Sequence, residues 1–151
     1  RKHILYIIRE LINFQAESPK TDAGMALKFL TNAIKKRCTT FMISDFIDVK
    51  DYNNALTIAN RKHDIVALQV YDSLETQIPN VGLMKILDAE TGAERWVDTS
   101  STKVRNTYKD WWQKQQAGIQ TSFNRSKVDN VSVRTDEDYV KALLTLFKKR
   151  N

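Results

Sequence analysis

The chain has 151 residues, 42% of them hydrophobic and 28% charged, which suits one globular domain with a buried core. The net charge of +6 gathers in Lys35-Lys36-Arg37, Arg61-Lys62-His63 and Lys148-Lys149-Arg150. Each run falls at a predicted helix C-terminus, where cations complement the helix dipole, so the excess does not argue for a nucleic-acid surface.

Residues 1 to 14 carry Ile4, Ile7, Ile8, Leu11 and Ile12, the spacing of a helix with one apolar face. Ser18-Pro19 marks a loop. Thr21-Asp22 can cap a second helix, Ala23 to Lys36, whose inner stripe is Ala23, Ala26, Leu27, Leu30 and Ile34. The single cysteine, Cys38, cannot form an internal disulfide and reads as a small buried hydrophobe.

Thr39 to Ser44 is the central predicted strand. Its run Phe41-Met42-Ile43 is continuous rather than alternating, the pattern of a parallel strand covered on both faces. A helix from Asp51 to Lys62 turns Tyr52, Ala55, Leu56 and Ala59 inward. A second near-continuous strand, Asp64 to Tyr71, follows. Strand, helix and strand in this order form a parallel crossover unit.

Leu83 to Asp88 and Arg95 to Thr99 read as a hairpin turning near Thr91-Gly92, extra to a plain doubly wound sheet. Ser100 or Ser101 starts a long helix to about Ser126, with Val104, Tyr108, Trp111, Gln115, Ile119 and Phe123 inward. Trp112 lies about 100° round from Trp111, so it is expected to be half exposed or under the hairpin. Val128 to Arg134 is a third strand of the main sheet. Thr135-Asp136-Glu137-Asp138 then reads as a capped start to the last helix, docked by Val140, Leu143, Leu144 and Phe147. Without a linker or repeat, residues 1–151 form one predicted domain.

Ligands of an open parallel sheet bind beyond the carboxyl ends of its strands. Ser44-Asp45, Asp72 and Thr135-Asp136 are predicted on that rim, and Thr21-Asp22 should open toward it. Hard oxygen ligands of this kind suit Mg²⁺. The bland alternative is that these residues cap turns. Catalytic signals are thin. The sequence has no Gly-x-Ser-x-Gly elbow, no phosphate-binding glycine loop and no zinc spacing, and His63 is predicted at the opposite edge.

Thr21-Asp22, Ser44-Asp45-Phe46, His63-Asp64, Tyr71-Asp72-Ser73-Leu74-Glu75, Pro79-Asn80-Val81-Gly82, Asp88-Ala89-Glu90-Thr91-Gly92, Trp96-Val97-Asp98-Thr99 and Thr135-Asp136-Glu137-Asp138-Tyr139 occur in an order that resembles the C-terminal half of one bacterial family. It is domain-of-unknown-function family 58, with a von Willebrand factor A-like domain. The resemblance implies a partial Rossmann-like, mostly parallel α/β sheet with flanking helices and an inserted hairpin, its N-terminal strands missing from a chain that starts at Arg1. It also implies a metal-ion-dependent adhesion site, in which Thr21 matches the threonine and Asp45 the aspartate. The DxSxS element of that site is expected upstream of Arg1. A parent protein would then hold Mg²⁺, and the two positions left here are too few to hold it tightly.

By resemblance the function is that of a protein-interaction module, an adaptor for a MoxR-type AAA+ ATPase, and not an enzyme. The alternative is a metal-assisted hydrolase at the same rim. The expected location is cytoplasmic, with no membrane or nucleic-acid partner for this segment. Loss of the first strand would leave the edge of Thr39–Ser44 bare, so a homodimer is expected through that edge or through the helix at residues 1 to 14.

Overall fold

The computed structural model of the chain describes residues 2–15, 21–47, 51–88 and 91–150. In chain order the elements are α1 (Lys2–Asn13), α2 (Ala23–Ala33), β1 (Thr39–Ser44), α3 (Asn53–Lys62), β2 (Asp64–Tyr71), a 3-10 turn (Ser73–Thr76), β3 (Leu83–Leu87), β4 (Glu94–Asp98), α4 (Thr102–Ser126), β5 (Asp129–Arg134) and α5 (Tyr139–Arg150). The main sheet has the order β1-β2-β5, and both of its pairings are parallel, with Thr39 opposite Asp64 and Val66 opposite Asp129. The hairpin β3–β4 forms a separate antiparallel pair. This is a partial Rossmann-like α/β arrangement.

One face of the sheet is closed. Ile65 and Ala67 of β2 meet Leu56 and Ala59 of α3, Leu27 of α2, and Ile119 and Phe123 of α4 in a single core. Asn60 fastens α3 to the end of α4: its Nδ2 donates to the carbonyls of Ser126 (3.0 Å) and Lys127 (2.9 Å), and its Oδ1 accepts the Ile65 amide at 3.1 Å. These bonds satisfy helix-end carbonyls that would otherwise lack partners.

The other face is covered only in part. Leu146 of α5 is buried, and the Phe147 ring meets Phe41 edge-on at 6.3 Å. Phe41 and Ile43 nevertheless remain 47% and 67% exposed, so β1 is not the doubly covered strand its apolar run predicts. Among the described residues it is an edge strand, paired with β2 alone. The helix α1 forms as its spacing predicts, but none of its apolar residues is buried.

Several local expectations change; on α5 the buried residue is Leu146, while Val140, Leu144 and Phe147 of the expected docking set stay exposed. The helix α2 ends at Ala33, with Ile34 extended, so Lys35-Lys36-Arg37 lies beyond it. Of its predicted stripe only Ala23 and Leu27 are buried. Trp112 is the buried tryptophan, its ring 5.7 Å from Tyr71, while Trp111 is 40% exposed; the end of β2 supplies the packing partner. Thr135 does not cap α5. Its hydroxyl bonds Asp72, and Asp138 Oδ1 accepts the Val140 amide at the start of α5. Within the hairpin turn, Ala89 and Glu90 lie outside the described residues, as does Ser18-Pro19. Gly92 takes a φ of +70° there and donates to Asp88 O at 2.8 Å, so the turn residue is one that tolerates a left-handed backbone.

Candidate functional site

The parallel register brings the carboxyl ends of β1, β2 and β5 to one rim. Ser44-Asp45 ends β1. Ser44 Oγ accepts the Phe46 amide at 3.0 Å, and Asp45 Oδ1 accepts the Ile47 amide at 3.1 Å. Between them Phe46 adopts a φ of +60°, which is uncommon for a bulky side chain. The Phe46 ring offsets that strain. It is buried, 4.9 Å edge-on from Phe123 and 6.3 Å from Tyr52, whose hydroxyl donates to Phe46 O at 3.4 Å. The hydroxyl of Ser44 donates to the same Asp45 oxygen at 3.3 Å. Asp45 itself stays exposed on the rim.

A residue that sequence reasoning missed holds this turn from below. Gln69 of β2 is buried, and its side-chain Nε2 donates to Asp45 O at 3.3 Å and to Gln116 Oε1 at 2.9 Å. Its Oε1 accepts the Ser132 hydroxyl at 2.8 Å. The signal was a single amide within the apolar run Ile65–Val70, since buried polar groups are kept only with partners.

The neighbouring loops are tied directly. Asp72 Oδ1 accepts the Leu74 amide at 2.8 Å, and Oδ2 accepts the Thr135 hydroxyl at 2.7 Å. These bonds, the Leu74 amide first, hold the Asp72 carboxyl below its ordinary range. Asp136 is engaged by Arg134 at 2.7 Å. Asp72 and Thr135 thus close the rim between β2 and β5.

Thr21 and Asp22 stand at the start of α2. Asp22 Oδ1 accepts the Met25 amide at 2.8 Å, the predicted cap. Gly24 lies against the Tyr52 backbone, an added Cβ there standing 3.9 Å from Tyr52 Cα, so α2 and α3 begin side by side. Since Tyr52 also bonds Phe46 O, the Thr21 and Asp45 loops share one pole of the molecule. Both residues are exposed. A cleft of about 630 Å³ opens beside this pole between the start of α3 and α4, lined by Phe46, Asp51, Lys114 and Arg125 among others.

The donor chemistry at Thr21 and Asp45 is that of a hard cation, and the donor count is not: Mg²⁺ takes six oxygens in an octahedron. Among the described residues no group of three or more His, Cys, Asp or Glu side chains could hold a metal ion. Two protein oxygens would leave the remaining positions to water or to another molecule.

The opposite, amino edge contains His63, as expected. It is fully buried with Nδ1 3.4 Å from Cys38 Sγ. Cys38 is half-buried and polar in its contacts, rather than a buried hydrophobe. At the same edge Arg150 grips both oxygens of Asp64 at 2.6 Å and reaches Asp129 at 3.5 Å. The Arg150 bond is the main reason the Asp64 carboxyl sits below its ordinary value.

No helix of the described residues is long and apolar enough to cross a membrane. No solved structure matches the chain. It is similar to the uncharacterized protein MAV169 of Mycobacterium avium, 23% identical over 129 residues that span 85% of this chain and 76% of that one. It is also similar to the uncharacterized protein Rv1480 of Mycobacterium tuberculosis, 22% identical over 129 residues, 85% of this chain and only 40% of the relative. The family described as protein of unknown function DUF58 matches residues 1–118, from α1 into α4, and the chain therefore belongs to the DUF58 family.

Proposed function

We propose that this chain is a protein-interaction module that receives its partner on the carboxyl rim, and not an enzyme. The observation that carries this reading is the turn at Ser44–Ile47, where a left-handed Phe46 is anchored in the core while Asp45 stays exposed. Strain of this kind is retained where surrounding structure over-determines it, often at ligand-binding sites. In this reading the domain is von Willebrand factor A-like, and Thr21 and Asp45 are the remnant of a metal-ion-dependent adhesion site. Mg²⁺ held there in a longer parent chain would be completed by a carboxylate of the partner, and a MoxR-type AAA+ ATPase is the partner that the family resemblance favours.

The test is capture of that ATPase by the longer parent protein and by its Asp45→Ala form, with Mg²⁺ and with chelator. Capture that needs both Asp45 and Mg²⁺ is expected. Capture indifferent to both would sink the reading. Hydrolytic turnover abolished by Asp45→Ala would replace it with the metal-assisted hydrolase. That alternative needs a nucleophile or general base at the rim, and among the described residues the cleft beside it offers Asp51, Lys114 and Arg125 but no histidine or cysteine.

A second partner is another copy of the same chain. The free edge of β1, with Phe41 and Ile43 beside it, and the unburied apolar face of α1 both support it. Light scattering of the 151-residue chain at rising concentration should show dimers, and Ile43→Lys should return it to monomer. A monomer at all concentrations would remove this surface from the proposal.

A further inference from the structure

Among the described residues the hairpin β3–β4 pairs with no strand of the main sheet, and it leans over the first turns of α4. Between them runs a groove of about 790 Å³, in the size range of ligand-binding clefts. Its walls are apolar: Ile86 and Val97 from the hairpin, Val104, Tyr108 and Trp111 from α4, with Ile78 at one end. The hydroxyl of Tyr108 is taken up by Glu75 O at 2.9 Å, which leaves its ring as wall. Trp111 lines the groove and is still 40% exposed, so the groove is open to solvent rather than enclosed.

The charges along the groove are unequal. Arg95 lies on the hairpin's groove side, opposite Ile86 in the register, and Lys103 stands in the first turn of α4. Neither forms an ion pair among the described residues, whereas Lys85 on the hairpin's outer side is matched by Glu94 at 2.6 Å. The acid among the lining residues is Asp88, whose Oδ1 already accepts the Thr91 amide at 3.0 Å. An apolar trough edged by two cations outside any ion pair, against one carboxylate already bonded to backbone, is complementary to a ligand with one apolar face and flanking carboxylates. The open side favours a peptide over a small fatty acid, which would require a more enclosing wall.

We propose that the groove between the hairpin and α4 binds an acidic amphipathic segment of a protein partner, its apolar side chains against Trp111 and Val104 and its carboxylates on Arg95 and Lys103. The inference goes beyond the rim reading, shares no residue with it and needs no metal.

The probes are two fluorescent model helices of about 15 residues, long enough to be helical when bound. They carry the same leucine face, flanked by glutamate in one and by lysine in the other. Titrated into the full chain, the glutamate helix should bind about tenfold or more tighter than the lysine helix, with the difference shrinking at high salt. The double variant Arg95→Glu/Lys103→Glu should invert the preference, a gain of lysine-helix binding that a misfolded protein could not produce. Asp45→Ala and chelator should change nothing, which separates this outcome from the fate of the rim. Equal binding of the two helices, binding of neither, or a preference that survives charge reversal would overturn the proposal. So would dodecanoate that saturates the groove while neither helix competes with it, because the site would then be a lipid pocket.

Discussion

The two ends of the main sheet carry similar residues and use them differently. At the amino edge the carboxylates are taken up by their neighbours, Arg150 on Asp64 and Asp129 and Thr39 on Asp64 at 3.2 Å, and His63 meets Cys38, while His63 Nε2 and Arg150 Nη1 stay buried without a hydrogen-bond partner among the described residues. At the carboxyl rim, Asp72 and Thr135 close one end of the row, while Asp45, on a hydrogen-bonded turn, and Thr21, just before α2, stand exposed. Carboxylates that satisfy each other's neighbours hold a fold together. Carboxylates held out to solvent by their neighbours are available to something else. The type of residue at a loop therefore says less than what surrounds it.

The comparison can be broken most forcefully at the support of the rim. Phe46→Ala removes a buried ring that packs on Phe123 and Tyr52, and should cost about 3–5 kcal/mol in urea unfolding. If the midpoint hardly moves, the rim turn is not anchored by the core and the strain argument fails. The amino edge comes next. Arg150→Met removes a two-oxygen grip that is partly screened by solvent, and should cost about 1–2 kcal/mol at neutral pH. Lys148→Ala and Lys149→Ala, exposed in the same basic run, should stay within about 0.5 kcal/mol.

The amino edge also predicts a pH dependence. The Asp64 carboxyl has a lower pKa folded than its ordinary 3.8, so it binds protons more weakly in the folded state. Its contribution is fully present above that ordinary value and is lost as pH falls through the lower folded value. Arg150→Met should therefore flatten the acid limb of stability below about pH 4 relative to the parent chain. Identical acid limbs in the two proteins would show that the pair contributes nothing to stability there.

How much of this could be read in the residues depended on whether the deciding partner was near in sequence. The helix α3 was legible except for its start, which is Asn53 rather than Asp51: Tyr52, at the cap, and Ala55, Leu56 and Ala59 are all buried as expected. The two long apolar runs identified β1 and β2. They did not reveal that β1 has one face open, since Phe41-Met42-Ile43 looks the same in an edge strand as in a buried one. Trp111 and Trp112 are neighbours in the chain, and only Tyr71 at the end of β2 decides between them. Thr135 followed by Asp138 has the spacing of a cap, yet Asp72, 63 residues away, takes the hydroxyl. Arg150 looked like one of three cations at a helix end, and its true partners are the first residues of β2 and β5. The rim itself was legible because parallel strands place their carboxyl ends together whatever the loops contain. The brace beneath it was not, because Gln69 needs Gln116 and Ser132 from distant elements to make sense.

A small effect on stability is the most informative about function. Asp45→Ala deletes an exposed carboxylate with two local bonds, from the Ile47 amide and the Ser44 hydroxyl, while Ser44 still accepts the Phe46 amide and Gln69 still holds the Asp45 carbonyl. Those remaining bonds are made to backbone, so the substitution leaves them in place. Stability should then fall by no more than about 0.5–1 kcal/mol, as for other exposed positions held only by local turn bonds. Phe46→Ala and Asp45→Ala are adjacent in sequence and should differ several-fold in stability cost. A large loss on Asp45→Ala would mean that its carboxylate, like that of Asp64, is spent within the fold, and the contrast between the two ends of the sheet would collapse.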